Sequence, residues 1–200
     1  MVNLPNIMIV GLTGMSGAGK STVCDVFEHS GFVIIDCDKQ ARKIADNRDF
    51  LNELQSRFPD KILNTDGTLN RQLTAKAIFT NNDKRKLYNR IIFPYIVYDI
   101  IEKIKVSGEY VLLDAPTLFD AGLDIICTKI VGVTADFEVC VNRIIKRDGI
   151  SRQSAEERLW SQQDKFFFKN KCDFILENNG NIDDFIMCAQ KITKELKGYI

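Results

Sequence analysis

The stretch "GMSGAGKS", residues 14–21, constrains this chain more than any other. It follows the apolar run "IMIV" and fits G-x-x-x-x-G-K-[ST] at every fixed position. Phosphate oxygens must be met there by several backbone N–H groups at once, and a Cβ would block the approach. The loop opens into a predicted helix whose N-terminus favours anions. Gly14, Ser16, Gly17, Ala18, Gly19 and Thr22 belong to this cradle. Lys20 is placed to reach the β- and γ-phosphates, and Ser21 to put its hydroxyl on Mg²⁺. A strand before and a helix after are the context such a P-loop needs. A dinucleotide-binding G-x-G-x-x-G is absent.

The elements around the loop set the fold class. Residues 6–12 read as a buried strand, 20–29 as a helix closed by Gly31, and 32–36 as a second strand. A helix over 38–46 follows. Strands at 110–114, 129–134 and 174–177 alternate with helices at 136–147, 152–168 and 182–197. Alternation predicts an α/β fold: a P-loop NTPase-type, five-stranded parallel sheet with helices on both faces. Residues 49–106 break the alternation and read as a helical insertion. A "DGT" turn lies at 66–68, and Leu87, Ile91, Tyr95 and Tyr98 recur at helical spacing. The whole of 1–200 forms one domain with that insertion.

Composition narrows the partners. Lys+Arg and Asp+Glu balance at 27 each, which speaks against a nucleic-acid binder working by bulk charge. No apolar run approaches the roughly 18 residues that span a membrane, and the opening "MVNLPNIMIV" lacks a charged leader. Six cysteines without a C-x-x-C pair, and a single histidine, argue against a zinc site. Free thiols fit a reducing cytoplasm. The cysteines read as small packing residues and His29 as a helix-end residue, not a base. The three phenylalanines 166–168 read as core or a binding wall. The sequence gives no oligomeric state.

Several charged residues suit phosphoryl transfer. Asp114 ends the strand "YVLLD", where a P-loop protein carries a magnesium-directed carboxylate; the alternative is a cap on the turn before Pro116. Asp36 and Asp38 point the same way if the chain is extended there. Asp38 could take or orient the proton of an attacking hydroxyl, or N-cap the next helix. Arg42 follows one turn on. Arg143, Arg147 and Arg152 flank "RDGIS"; arginines on a mobile segment stabilise charge on transferring oxygens, and the alternative is a basic helix end that complements its dipole. "NKCD" at 170–173 matches a guanine-reading N-K-x-D but precedes a strand instead of following one. The D-x-x-G switch is also missing, so a GTPase is rejected.

An ordered set of stretches resembles the dephospho-CoA kinase family over nearly the whole chain. It comprises "LTGMSGAGKST" (12–22), "IIDCDKQAR" (34–42), "DGTLNRQL" (66–73), "IFTNNDKRKLYNRIIFPYI" (78–96) and "APTLFDAGL" (115–123). It closes with "RIIKRDGISRQSAEERLWSQQ" (143–163) and "CDFILENNG" (172–180). The resemblance implies ATP-dependent phosphorylation of the ribose 3′-hydroxyl of dephospho-CoA, giving coenzyme A. ATP and Mg²⁺ would be required, with a small molecule as acceptor. The insertion 49–106 would hold the coenzyme A precursor, and a lid at 143–168 would carry Arg143 and Arg147. Asp38 would be the general base, with Lys20 and Arg143 also catalytic. Thr13, Arg42, Arg71, Pro116 and Asp120 would contact the acceptor, Ser21 and Asp114 the metal, and Asn178 and Asn179 would lie near the adenine of ATP.

Three departures from the family pattern stand out. Phe93-Pro94 replaces His-Pro, Thr117 and Asp120 replace a Leu and a Glu, and Met15-Ser16 replace Gly-Ile. They leave open a diverged kinase for another nucleoside or small-molecule hydroxyl. A nucleotide-dependent regulatory protein is the remaining alternative.

Overall fold

The structure, a computed structural model, describes residues 7–199. Five strands form one sheet in the order β2-β3-β1-β4-β5. They are β1 (Met8–Gly14), β2 (Val33–Asp36), β3 (Tyr110–Asp114), β4 (Lys129–Thr134) and β5 (Phe174–Glu177). β1 pairs in parallel with β3 and β4, and β4 with β5. Every residue of β1 is buried, as a central parallel strand covered on both faces must be. The expected start of β1 at Asn6 lies outside the described residues. Its end runs further than expected, into the first glycine of the phosphate loop.

The chain divides into two compact units. One comprises the core sheet and its helices, up to Ile35 and again from Lys105; the other is Asp36–Ile104. In the first, α1 (Lys20–His29), α6 (Phe137–Asp148), α7 (Arg152–Trp160), α8 (Lys165–Lys171) and α9 (Ile182–Lys197) surround the sheet. Val10, Leu12, Leu112, Val131 and Val133 from the strands meet Val23 and Phe27 of α1, Ile144 of α6 and Ala189 of α9 in one core. Gly11 and Gly132 sit in central strands because sulfurs fill the space beside them. A Cβ on either would lie 2.8 Å from the Sγ of Cys127 or Cys172, respectively. Burial pushes both thiols up to about 12.

The expected single helix over 152–168 is two helices. α7 stops at Trp160 with Ser161 as its C-cap, and the Asp164 carboxylate accepts from the Phe167 N–H at 2.8 Å to start α8 anew. Of the three phenylalanines, Phe168 is buried, Phe167 packs edge-on against Phe119, and Phe166 faces solvent. Asp173 of "NKCD" accepts from the Ile130 N–H at 2.8 Å, so it anchors the entrance of β4. His29 hydrogen bonds the Asp25 carbonyl at 2.6 Å at the end of α1.

The second unit is helical: α2 (Cys37–Ile44), α3 (Arg48–Arg57), α4 (Arg71–Thr80) and α5 (Asn82–Lys105). It begins at Asp36, so α2 belongs with the helices of the insertion. Phe50, Leu54, Ile91, Ile96 and Ile100 form its buried interior. Phe50 meets Tyr88 and Tyr95 edge-on, and the Tyr95 hydroxyl donates to Glu53 at 2.8 Å. Leu87, Ile91, Tyr95 and Tyr98, read at helical spacing, all lie in α5; Ile91 is buried with Ile92, Ile96, Ile100 and Ile104, while Tyr98 is exposed. The turn at 66–68 forms as expected: Gly67 takes φ 83°, and Asp66 accepts from the Thr68 N–H. No helix among the described residues is long and apolar enough to cross a membrane.

Candidate active site

The phosphate loop is fixed by three close approaches to the rest of the core unit. A Cβ on Gly14 would lie 2.1 Å from the Val133 carbonyl oxygen. One on Gly17 would lie 2.8 Å from the Cys140 carbonyl, and one on Gly19 2.5 Å from the Asn178 amide. Sequence reasoning assigned these glycines to the phosphates alone. Protein neighbours demand them as well, because the loop is pressed onto β4, α6 and the end of β5. Gly19 also takes φ 108° at the N-cap of α1, a conformation that costs other residues dearly.

A cavity of about 430 Å³ opens over this loop. Ser16, Gly17, Gly19, Lys20, Ser21, Asp114, Pro116, Arg143 and Arg147 line it. Three cationic side chains face one carboxylate there, beside the N-terminus of α1. Such a site attracts a polyanion of nucleotide size. Lys20 donates to the Gly14 carbonyl at 3.2 Å, folded along the loop it serves. Thr22 stands in the first turn of α1, and Ala18 is buried beneath the loop.

Arg143 and Arg147 come from one face of α6. Arg143 donates to the Gly17 carbonyl at 3.4 Å and to Asn178 Oδ1 at 3.2 Å. Arg147 makes a two-point contact with Asp148, Nε to Oδ1 at 2.6 Å and Nη2 to Oδ2 at 2.9 Å. Arg158 donates to the same carboxylate. Hydrogen bonds and charge from the two arginines hold Asp148 down at about 2. Arg152 pairs instead with Glu138 and Glu156 and does not line the cavity.

Asp114 ends β3 half-buried at the cavity. The Cys24 thiol hydrogen bonds to it. Burial, then the Asp114 charge and that bond, push the thiol up to about 12. Cys24 is therefore a protonated donor to the carboxylate and not a nucleophile. Thr13 is buried and donates to the Pro116 carbonyl at 3.2 Å, tying β1 to the turn after β3. Asp120 is exposed in that turn, outside the cavity lining. Asn178 is buried, and Asn179 Oδ1 accepts from the Asp136 N–H at 2.7 Å.

In the helical unit the two aspartates do not lie along one extended strand. Asp36 ends β2 and is the N-cap of α2, accepting from the Lys39 N–H at 2.8 Å. The capping role considered for Asp38 thus belongs to Asp36, and Asp38 stands exposed in the first turn of α2. Arg42 follows four residues later on the same helical face. Arg71 opens α4 behind Asn70, whose side chain caps the helix through the Leu73 N–H.

Three partners of the site escaped sequence reasoning. Gln162 Oε1 accepts from the Ser16 N–H at 3.0 Å, Asp148 holds Arg147, and Cys24 supports Asp114. Gln162 and Asp148 lie inside the quoted 143–163 stretch, yet only the folded chain shows what each one touches.

The family model for dephospho-CoA kinase matches residues 8–184, from the first strand into the last helix. The chain belongs to the dephospho-CoA kinase family. A dephospho-CoA kinase of Fusobacterium nucleatum is 36% identical over 192 residues, covering 96% of this chain and all of that protein. A solved structure described as TT1252 from Thermus thermophilus superposes with a TM-score of 0.80 at 26% identity, covering 96% of this chain and 98% of that one. A dephospho-CoA kinase from Campylobacter jejuni shares the fold, with a TM-score of 0.69 at 24% identity over 96% and 98% of the two chains. For a dephospho-CoA kinase family member, a cationic loop cavity is the expected home of the phosphoryl donor.

Proposed function

We propose that this protein transfers the γ-phosphoryl group of ATP to the ribose 3′-hydroxyl of dephospho-CoA, giving coenzyme A and ADP. The observation that carries the reading is the phosphate loop with Lys20, Arg143 and Arg147 around one cavity, in a chain of this family. The ribose oxygen forms a bond to the γ-phosphorus as the bond to the bridging oxygen of ADP breaks. Asp38 positions the hydroxyl and accepts its proton. Lys20 and the two arginines balance charge that develops on the transferring and leaving oxygens. Loop N–H groups hold the remaining phosphate oxygens. No covalent enzyme intermediate is involved.

Ser21 and Asp114 are hard oxygen donors at the cavity, the donor type that Mg²⁺ selects. The described residues contain no cluster of three or more His, Cys, Asp or Glu able to cage an ion. That agrees with a cation carried in on the phosphates and completed by one or two protein oxygens. Bound there, Mg²⁺ would neutralise phosphate charge. Arg42, Arg71, Pro116 and Asp120 make up the acceptor's contacts in this reading, while Thr13, expected among them, is buried and instead holds the turn that carries Pro116. None of the six cysteines forms a disulfide among the described residues, which suits a reducing cytoplasm.

Replacing Asp38 by Asn tests the assignment. ATP affinity stays within about twofold of the parent, because the phosphate cradle is untouched, while coenzyme A formation falls by about 10²-fold or more. Near-normal kcat in Asp38→Asn contradicts the role of Asp38.

A further inference from the structure

The resemblance associates Asn178 with the adenine of ATP, but its surroundings give it other work. It follows β5, and only 3% of the residue is exposed. Its backbone N–H donates to the Thr134 carbonyl at 2.9 Å, continuing the β4–β5 ladder by one residue. Its side chain faces two directions at once. Nδ2 donates to the Ala18 carbonyl at 2.8 Å, in the middle of the phosphate loop. Oδ1 accepts from Arg143 Nη2 at 3.2 Å. Arg143 in turn reaches the Gly17 carbonyl through Nη1 at 3.4 Å.

The two partners fix the amide's orientation. Ala18 offers only an acceptor and Arg143 only donors, so flipping the carboxamide would set oxygen against oxygen and N–H against N–H. Asp in this place would press a carboxylate oxygen onto the Ala18 carbonyl. Leu would leave both partners unmet in a buried position. Gln would carry the amide further into the loop, where Gly19 already lacks a Cβ because Nδ2 stands 2.5 Å from where that Cβ would sit.

We propose that Asn178 is a positioning residue for phosphoryl transfer. It ties the phosphate loop and Arg143 to the end of the sheet, so the loop N–H groups and the guanidinium meet the phosphates in one fixed register. Buried between these two partners, its amide has no edge to offer a purine. The proposal rests on the reading of Arg143 as a phosphate-binding residue.

The test compares ATP with inorganic tripolyphosphate, which has no base. Dissociation constants for both are measured by calorimetry on the parent, Asn178→Ala and Asn178→Ser, with thermal melts to verify folding. Ser retains a small polar group should Ala fail to fold. A positioning residue weakens both ligands by the same factor, about three- to tenfold. A residue that reads adenine weakens ATP and leaves tripolyphosphate unchanged, and that result overturns the proposal. Unchanged affinity for both ligands overturns it as well.

Turnover supplies the second arm. Coenzyme A formation slows in Asn178→Ala. The Asn178→Ala change slows Arg143→Ala by a smaller factor than it slows the parent, because part of the effect of Asn178 on turnover runs through Arg143 and the rest through the loop. Fully multiplicative losses contradict that route. If the parent makes no coenzyme A, the acceptor assignment fails, while the two-ligand comparison still decides the role of Asn178.

Discussion

The two units of this chain present their functional groups in opposite ways. In the core unit the groups are held before any ligand arrives. The loop is pressed onto three neighbours, Asn178 and Gln162 bond its backbone, Asp148 grips Arg147, and Cys24 supports Asp114. In the helical unit Asp38, Arg42 and Arg71 stand exposed on helices whose backbones are capped by other residues, Asp36 and Asn70. A phosphate-binding loop must offer several N–H groups at once, so its geometry is built into the packing. On the proposed function the acceptor is met by side chains on rigid helices, where a substitution changes affinity without disturbing the fold.

The largest break in this comparison is expected at Lys20. Lys20→Ala removes a charge at the cavity and lowers kcat by about 10²- to 10³-fold, with weakened ATP binding by calorimetry. A core cavity in the helical unit comes next. Leu54 is fully buried, and Leu54→Ala destabilises by about 2–5 kcal/mol in chemical denaturation. ATP affinity of the folded fraction is unchanged, which separates the two units in one variant.

A pair of glycines sharpens the contrast further. Gly14→Ala meets the Val133 carbonyl and a left-handed φ together, and costs about 3 kcal/mol or more. Gly67→Ala has the same sign of φ but nothing within 4 Å, and costs only about 1 kcal/mol. Equal losses in the two variants would show that the loop is not pressed onto its neighbours.

The smallest effect concerns acid. The folded Asp148 carboxyl is held at about 2, below its ordinary 3.8. Its stabilising contribution is present in full above about pH 4 and is lost as pH falls through about 2. Asp148→Asn therefore flattens the dependence of melting temperature on pH across that window.

Much of the core unit is legible in the sequence, because its elements obey strong local rules. Five apolar strands bounded by glycine, aspartate and polar turns appear where expected, and the loop pattern falls at the end of β1. The break between α7 and α8 was missed because Ser161, Gln162 and Gln163 include no glycine or proline to mark a stop, and only the caps at Ser161 and Asp164 reveal it. The helical spacing of Leu87, Ile91, Tyr95 and Tyr98 located α5 without disclosing that packing buries its isoleucines and leaves Tyr98 exposed. In the site, Lys20, Ser21, Asp114, Arg143 and Arg147 were all read from the chain and converge on one cavity. Gln162, Asp148 and the two-sided role of Asn178 were not legible. Their partners lie far along the chain or on an adjacent turn, and a carboxamide in sequence does not disclose which way it faces.

The central claim is the reaction itself, and mass spectrometry tests it most directly. Purified protein is incubated with ATP, Mg²⁺ and dephospho-CoA, beside a panel of nucleosides and other small hydroxyl acceptors. The account predicts coenzyme A carrying its new phosphate on the ribose 3′-oxygen, formed with a kcat of about 1 s⁻¹ or more. ATP bound without coenzyme A formed, or faster phosphorylation of another acceptor in the panel, contradicts it.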